Sequence, residues 1–264
     1  DPAALAPRIS DRHFGVGSDG LILMLPPSHE GEHDDVHMRM FNADGSEAEM
    51  CGNGIRCLCK LAHDRGHVRV NPMRVLTGAG ELTLSYTLDK QNKVEDVTVD
   101  MGEPITDPTD VPVDTTQLEV VDSPHTFEIP TDQTDEPLIA TFVSMGNPHA
   151  VLFVRSVDDI DLRHIGPIIE NHPAFPNRMN VHFVESHGAD EVTRRTWERG
   201  SGVTLACGTG ACAVCVAGVL MDCAQPKILA HLPGGDLTLE WADKDKHVYM
   251  TGPATEVFTG DWHA

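Results

Sequence analysis

Basic residues are scarce in this chain of 264 residues. It carries 19 Lys and Arg against 41 Asp and Glu, and only six of the basic residues are Lys. A formal net charge of −22 disfavours binding to polyanions, so we expect no nucleic-acid partner and no anionic membrane partner. No apolar run approaches the roughly 18 residues of a helical membrane span.

Cysteines are few, and their number, seven, is odd. A chain of this length can bury a core without disulfides, so we expect free thiols in a reducing cytoplasm. The fifteen histidines are scattered and no H-E-x-x-H motif occurs, so we expect no metal site. The stretch GVGSDG (15–20) precedes the apolar LILML, which predicts a strand and not the helix of a dinucleotide-binding motif.

The short motif Cys-Gly-x-Gly occurs twice, in MCGNGIRC (50–57) and in ACGTGACA (206–213). The preceding segments also align, and GELTL (80–84) matches GDLTL (235–239) at nearly the same offset. Two matches at nearly the same offset indicate an internal duplication of an α/β unit.

Alternation of apolar and polar residues predicts many short strands. Helical spacing predicts a helix over 52–65, a fully buried helix over 208–223 and a surface helix over 157–171 that Gly166-Pro167 interrupts. The Pro- and Thr-rich stretch 104–116 is typical of a linker. The predicted strands cover 36–41, 80–88, 94–101, 138–146, 150–154, 180–186, 191–197 and 235–241.

Each repeated motif places a cysteine, Cys51 or Cys207, at the start of a predicted helix. Unpaired backbone N–H groups and the helix dipole there are expected to lower the thiol pKa. Nearby glycines leave these N–H groups accessible to a carboxylate. If the halves face each other about a pseudo-two-fold axis, one thiolate can remove an α-proton while the opposite thiol delivers one, which inverts the carbon.

Two other interpretations of the cysteines remain open. Cys207, Cys212 and Cys215 have the C-x4-C-x2-C spacing of an iron–sulfur loop, with Cys223 as a fourth ligand, although ACAVCVAGVL is typical of a helix interior. The second interpretation is that cysteines pack in the core, because cysteine is often buried. It is expected for these residues: Cys57, Cys59, Cys212, Cys215 and Cys223.

The chain resembles the diaminopimelate epimerase family over nearly its whole length. The matching blocks are DRHFGVGSDGL (11–21), MRMFNADGSEAEMCGNGIRC (38–57), MGEP (101–104), VSMGNPHAV (143–151), WERGSGVTLACGTGAC (197–212), LPGGDLTLEW (232–241) and MTGPATEVFTG (250–260). The resemblance implies a cofactor-independent enzyme that interconverts LL- and meso-diaminopimelate for lysine and cell-wall synthesis. We hypothesise a homodimer.

The implied fold is α/β, with two pseudo-symmetric domains that each wrap a mixed, largely antiparallel sheet around a central helix. We expect one domain over 1–103 plus 253–264, carrying Cys51, and the other over 104–252, carrying Cys207.

The resemblance also implies roles for individual residues. Cys51 and Cys207 are the implied acid/base thiols, assisted by His149 and Glu198, and Glu198 also holds the reacting amine. Backbone groups of Gly52-Asn53 and Gly208-Thr209 are the implied site of the reacting carboxylate. The distal amino-acid end is expected to contact a further set of polar residues: Asn42, Asn147, Asn180 and Arg199.

The chain departs from the family pattern at two places. It does not contain the H-G-x-G-N-D-F stretch of the family's first strand, so we expect the natural protein to extend upstream of Asp1. Gly20 stands where some relatives carry a substrate-contacting Gln. Proline racemases resemble the chain less, because they carry His where Asn53 stands. A catalytically inactive binding module is the alternative from a different class.

Salt should stabilise this protein if its acidic, Lys-poor surface is an adaptation to high salt. Cations screen repulsion among like charges, so the melting temperature is expected to rise between salt-free buffer and molar KCl. Thermal melts followed by circular dichroism measure this. An unchanged melting temperature would favour the alternative, an ordinary acidic protein.

Overall fold

The computed structural model describes residues 1–27, 34–134 and 137–263. The chain divides into two units. The first comprises Asp1–Asp100 with Thr251–Ala264, and the second comprises Met101–Met250. None of the α-helices in these described ranges has both the length and the apolar character needed to cross a membrane.

A five-stranded sheet and two helices form most of the first unit. In pairing order the strands are β1, β2, β4, β5 and β6, and the short β3 pairs with β2. Among the strand pairs that the structure describes in this unit, β2 and β4 are parallel and the others are antiparallel. The elements are α1 (Pro2–Ser10), β1 (Gly20–Leu25), β2 (Val36–Asn42), β3 (Glu47–Ala48), α2 (Gly52–Asp64), β4 (Met73–Thr77), β5 (Gly80–Leu88) and β6 (Val94–Asp100).

The second unit contains a larger sheet, with strands in the order β15, β14, β12, β11, β10, β9, β8 and β7, and the short β13 beside β12. The elements are β7 (Glu119–Val120), β8 (Phe127–Ile129), β9 (Leu138–Ser144), β10 (Pro148–Val154), α3 (Leu162–Glu170), β11 (Asn180–Ser186), β12 (Glu191–Glu198), β13 (Gly202–Thr204), α4 (Gly208–Leu220), β14 (Lys227–Leu232) and β15 (Gly235–Trp241). Strand β16 (Val248–Pro253) leads the chain back into the first unit.

The strand pairing supports the internal duplication. In the first unit β2 pairs antiparallel with the short β3 and parallel with β4, and β4 and β5 form a hairpin. In the second unit β12 pairs in the same ways with β13 and β14, and β14 and β15 form a hairpin. The hairpins turn at Gly80 and Gly235, whose φ angles of +117° and +123° lie in the region that favours glycine.

The two repeated helices occupy equivalent places in this topology. Helix α2 buries one face, with Ile55, Leu58 and Ala62, and packs against β1 and β6. Helix α4 is apolar all round and packs against β9, β10, β11, β14 and β15. The predicted helices over 52–65 and 208–223 are therefore confirmed, the second ending at Leu220, and so is the mixed α/β fold class.

Helix α3 differs from the prediction of an interrupted surface helix. It runs through Gly166-Pro167 without a break, begins after Asp161, whose carboxylate accepts from two backbone N–H groups, and buries Ile165 and Ile169. Pro167 provides no N–H for the carbonyl of Arg163, but Arg163 is exposed, so water can solvate that carbonyl.

Two further segments correct the sequence analysis. Helix α1 was not predicted; Asp1 caps it, because its carboxylate accepts from the Ala3 N–H at 3.1 Å. The stretch 104–116 is not a free linker. Its Val111 and Val113 are buried in the core of the second unit, and Ile105 forms a β-bridge with Ser144.

Gly166→Ala is expected to destabilise the second unit. A Cβ at this position would lie 2.5 Å from ring carbons of Trp197, so the overpacking cost of about 1–3 kcal/mol should exceed the helix-propensity gain of about 1 kcal/mol. Urea unfolding measures the change in the free energy of unfolding.

Gly188→Ala is the matched control, because its Cβ would come no closer than 3.8 Å to Asp190 Oδ1. Equal stabilities for the two variants would contradict the close packing of α3 on Trp197.

Candidate active site

Cys207 is the residue that caps helix α4. Its backbone is extended (φ −131°, ψ 109°), its side chain is buried, and its Sγ lies 3.6 Å from Thr209 Oγ1. Burial raises the pKa of this thiol, and the Glu198 carboxylate raises it further. The Arg194 charge and hydrogen bonds from Thr209 and Gly210 oppose the rise. The expectation of a lowered pKa at Cys207 is therefore wrong, because desolvation outweighs the helix start.

Cys51 occupies the equivalent position at the start of α2. Its backbone angles (φ −141°, ψ 113°) match those of Cys207, and its half-buried Sγ accepts from the Gly54 N–H at 3.4 Å. One turn later Arg56 Nη1 donates to the Gly52 carbonyl at 3.1 Å and to Asn53 Oδ1 at 3.2 Å. The Asn53 amide is thus held at the helix start.

Asn42 ends strand β2 in the same unit. Its Nδ2 donates to Ser46 Oγ at 3.0 Å, and the Ser46 hydroxyl donates to Asp44. Gly45, with φ +88°, closes this tight loop. These contacts fix the Asn42 side chain in place.

Strand ends of the second unit hold the next three predicted residues. Asn180 opens β11; its Nδ2 donates to the Pro148 carbonyl at 2.9 Å, and its Oδ1 accepts from the Arg199 N–H at 3.0 Å. Glu198 ends β12, and its carboxylate accepts from the Thr204 hydroxyl. The Asn180 amide therefore joins the first residue of β10 to the residue that follows β12.

His149 and Asn147 lie at the turn between β9 and β10. His149 is fully buried, with its Nε2 at 2.9 Å from Asn147 Oδ1 and its Nδ1 at 2.8 Å from His182 Nε2. Burial, aided by the charges of Arg194 and Arg199, lowers the pKa of His149 to about 3. The His149 ring is therefore neutral at physiological pH.

Sequence reasoning missed two residues of this cluster, His182 and Arg194. Both are buried, on the neighbouring strands β11 and β12. The available signal was their position: Val192, Arg194 and Thr196 alternate on the buried face of β12, where an apolar residue is expected in place of arginine. A charged residue at a core position is a pointer to a site.

The cysteines that follow Cys207 in the C-x4-C-x2-C spacing lie in helix α4. Cys212 and Cys215 are buried inside this helix, and burial raises the pKa of Cys215 to about 12. A helix interior cannot wrap around a cluster, so the iron–sulfur interpretation is wrong. The core-packing expectation holds for Cys59, Cys212 and Cys215, but Cys57 and Cys223 are exposed.

The chain matches the diaminopimelate epimerase family over residues 1–106 and 141–257. It is 49% identical to the diaminopimelate epimerase of Acetivibrio thermocellus over 261 residues, which cover 99% of this chain and 89% of that protein. It is 48% identical to that of Methanococcus maripaludis strain S2, over 99% of this chain and 90% of the relative.

Solved structures show the same fold at low sequence identity. A PhzF-family phenazine biosynthesis protein of Bacillus anthracis superposes with a TM-score of 0.62 at 14% identity, covering 95% of this chain and 84% of that one. A hydroxyproline epimerase of Agrobacterium vitis also gives 0.62, at 16% identity, with 94% and 76% covered. Since relatives nearly half identical span almost the whole chain, it belongs to the diaminopimelate epimerase family.

Proposed function

We propose that this chain interconverts LL- and meso-2,6-diaminopimelate without a cofactor, by proton transfer between the α-carbon and the thiols of Cys51 and Cys207. The observation that carries the proposal is the shared cap geometry, in which a cysteine with nearly the same backbone angles starts the same helix of each repeat. Family membership supports diaminopimelate as the small-molecule substrate of this chain. It also supports a role in lysine and cell-wall synthesis.

In the proposed reaction one cysteine, as thiolate, removes the α-proton, and the other, as thiol, donates a proton to the opposite face. Negative charge then develops on the substrate carboxylate. Backbone N–H groups at Gly52-Asn53 and Gly208-Thr209 stabilise it, because the first N–H groups of a helix have no partner within the helix.

The two thiols lie in different environments, which suits a reaction in which one is the thiolate and the other is protonated. Cys207 is buried beside Glu198, which raises its pKa, whereas Cys51 is half-buried. Cys207 therefore rests as the protonated thiol at neutral pH, ready to act as the acid in one direction of the interconversion. Glu198 accepts a hydrogen bond from the substrate ammonium group, and the neutral His149 serves as an uncharged polar partner.

Asn42, Asn147, Asn180 and Arg199 bind the distal amino-acid end in this proposal. Arg199 Nη1 donates to the Asn177 carbonyl at 2.9 Å, and its guanidinium forms no ion pair with a carboxylate in the described ranges. It is therefore available to a substrate carboxylate, which a guanidinium can bind through two parallel hydrogen bonds. The division into the two proposed domains and a homodimer remain predictions.

Cys51→Ala and Cys207→Ala are each expected to abolish inversion, because a two-base path needs both groups. Loss of either should lower turnover by about 1,000-fold or more, the scale seen when a residue of a catalytic unit is removed. Proton NMR of LL-diaminopimelate in D2O measures loss of the α-proton signal and appearance of the meso isomer.

Cys57→Ala and Cys223→Ala are the controls, since both of these thiols are exposed and neither caps a helix. The two-base proposal fails if Cys51→Ala or Cys207→Ala retains turnover comparable to these controls.

Oxidation provides an independent test of whether both thiols serve one α-carbon. Two thiols that reach the same carbon can form a disulfide in the absence of substrate, so a mild oxidant should inactivate the enzyme and dithiothreitol should restore it. Peptide mass spectrometry would identify a bond between Cys51 and Cys207. Full activity after oxidation would count against the arrangement.

A further inference from the structure

Arg194 is a buried charge without an acidic partner. Its side chain is 1% exposed, its Nε has no hydrogen-bond partner, and no carboxylate pairs with it in the part of the chain that the structure describes. Buried charges in proteins are normally paired, because desolvating an isolated charge is costly. Burial lowers the pKa of Arg194, yet an arginine keeps its charge at any physiological pH.

The guanidinium instead forms hydrogen bonds with Thr196, His182 and the backbone carbonyl of Cys207. Arg194 Nη1 donates to Thr196 Oγ1 at 2.9 Å and to His182 Nδ1 at 3.0 Å. Arg194 Nη2 donates to the Cys207 carbonyl at 2.5 Å, and that same carbonyl accepts the first hydrogen bond of α4, from the Ala211 N–H. One side chain therefore joins the helix cap to the histidine pair.

These contacts determine the direction of a hydrogen-bond chain. A guanidinium only donates, so His182 Nδ1 must accept and the proton of this neutral ring lies on Nε2. His182 Nε2–H then donates to His149 Nδ1 at 2.8 Å, which places the His149 proton on Nε2. His149 Nε2–H donates to Asn147 Oδ1, and the Asn147 NH2 group remains for an acceptor such as a carboxylate.

The packing at the start of α4 leaves little room for the His182 ring or the Arg194 guanidinium to take another position. A Cβ at Gly210 would lie 2.2 Å from His182 Cε1 and 2.9 Å from Arg194 Nη1. The helix start, the His182 ring and the Arg194 guanidinium are therefore in close contact. A displacement of Arg194 would change the surroundings of Cys207.

We propose that Arg194 is a positioning residue of the reaction: it directs the chain from His182 through His149 to Asn147, and it holds Cys207 at the start of α4 beside a fixed positive charge. This inference rests on the proposed function for the roles of Cys207 and Asn147. The same charge opposes the rise in the Cys207 pKa that burial and Glu198 cause.

The first test needs neither a variant nor turnover. Long-range proton–nitrogen NMR correlations of the unaltered chain report the tautomer of each histidine ring. We expect His149 and His182 to be neutral and protonated on Nε2 throughout about pH 5–8, a range in which an unperturbed histidine would titrate. A proton on Nδ1 of either ring, or titration within this range, would overturn the proposal.

A small set of titratable and charged groups faces His149 and His182 and could shift their pKa values. They are Arg194 and Glu198 on β12, Arg199 after it, Cys207 and Cys212 at α4, and the two histidines themselves. Burial and the nearby arginine charges both disfavour a charged imidazole at His149 and His182.

The second test compares Arg194→Met, which removes charge and donors, with Arg194→Lys, which keeps the charge. Loss of the charge should raise the Cys207 pKa further and leave less of this thiol as thiolate, so Cys207 should react with iodoacetamide about 10-fold more slowly at pH 8, with no change at Cys51. Arg194→Lys should keep most of the Cys207 reactivity. Mass spectrometry of the two peptides separates these rates.

Arg195→Met is the matched control on the same strand. Arg195 Nη1 donates to the carbonyls of Val157 and Ile160, away from the thiol. Its kcat and Cys207 alkylation should stay near those of the unaltered chain, whereas Arg194→Met should lower kcat by about 10- to 100-fold through misplacement of Cys207.

Equal alkylation profiles for the two methionine variants would overturn the proposal. If Arg194→Met does not fold, the tautomers of the unaltered chain decide. A chain with the expected tautomers and alkylation but no epimerisation would refute the proposed function and leave intact the direction of the hydrogen-bond chain and the contact of Arg194 with Cys207.

Discussion

The start of a helix that is buried on every side is the constraint on which the second unit depends. The first N–H groups of any helix have no partner within it, and at α4 they belong to the half-buried Gly208 and Thr209 and the buried Gly210. Cys207 caps this helix, and the buried guanidinium of Arg194 donates to the backbone carbonyl of Cys207. The result is a helix start that keeps donors for an anion and a thiol beside them.

The duplication explains why the chain has two such helix starts, and divergence explains why they differ. Both units pair their strands in the same way and place a cysteine with the same backbone conformation at the helix cap. The support beneath the caps is not the same. In the first unit Arg56 binds Gly52 and Asn53 from within the helix, whereas Arg194 reaches Cys207 from a strand. Nearly equal backbones thus carry thiols in unequal environments.

Polar groups in the core of the second unit form a connected set. Arg194, His182, His149 and Asn147 satisfy one another in sequence, and the arginine determines where each proton lies. Such a network has one orientation because its first member has no acceptor atoms. The orientation of the Asn147 amide is therefore set by Arg194, which is three hydrogen bonds away along this chain.

The sequence by itself determined the repeat, the two buried helices, most of the strands and the positions of Cys51 and Cys207 at helix caps, since periodicity and glycine spacing are local signals. It failed where local signals mislead: prolines concealed α1, Pro and Thr concealed the packed segment 104–116, and Gly166-Pro167 suggested a break that tertiary packing removes. Only the tertiary structure decided the Cys207 pKa and the role of Arg194, because burial and contacts between distant strands set the protonation of a thiol and the direction of a hydrogen bond.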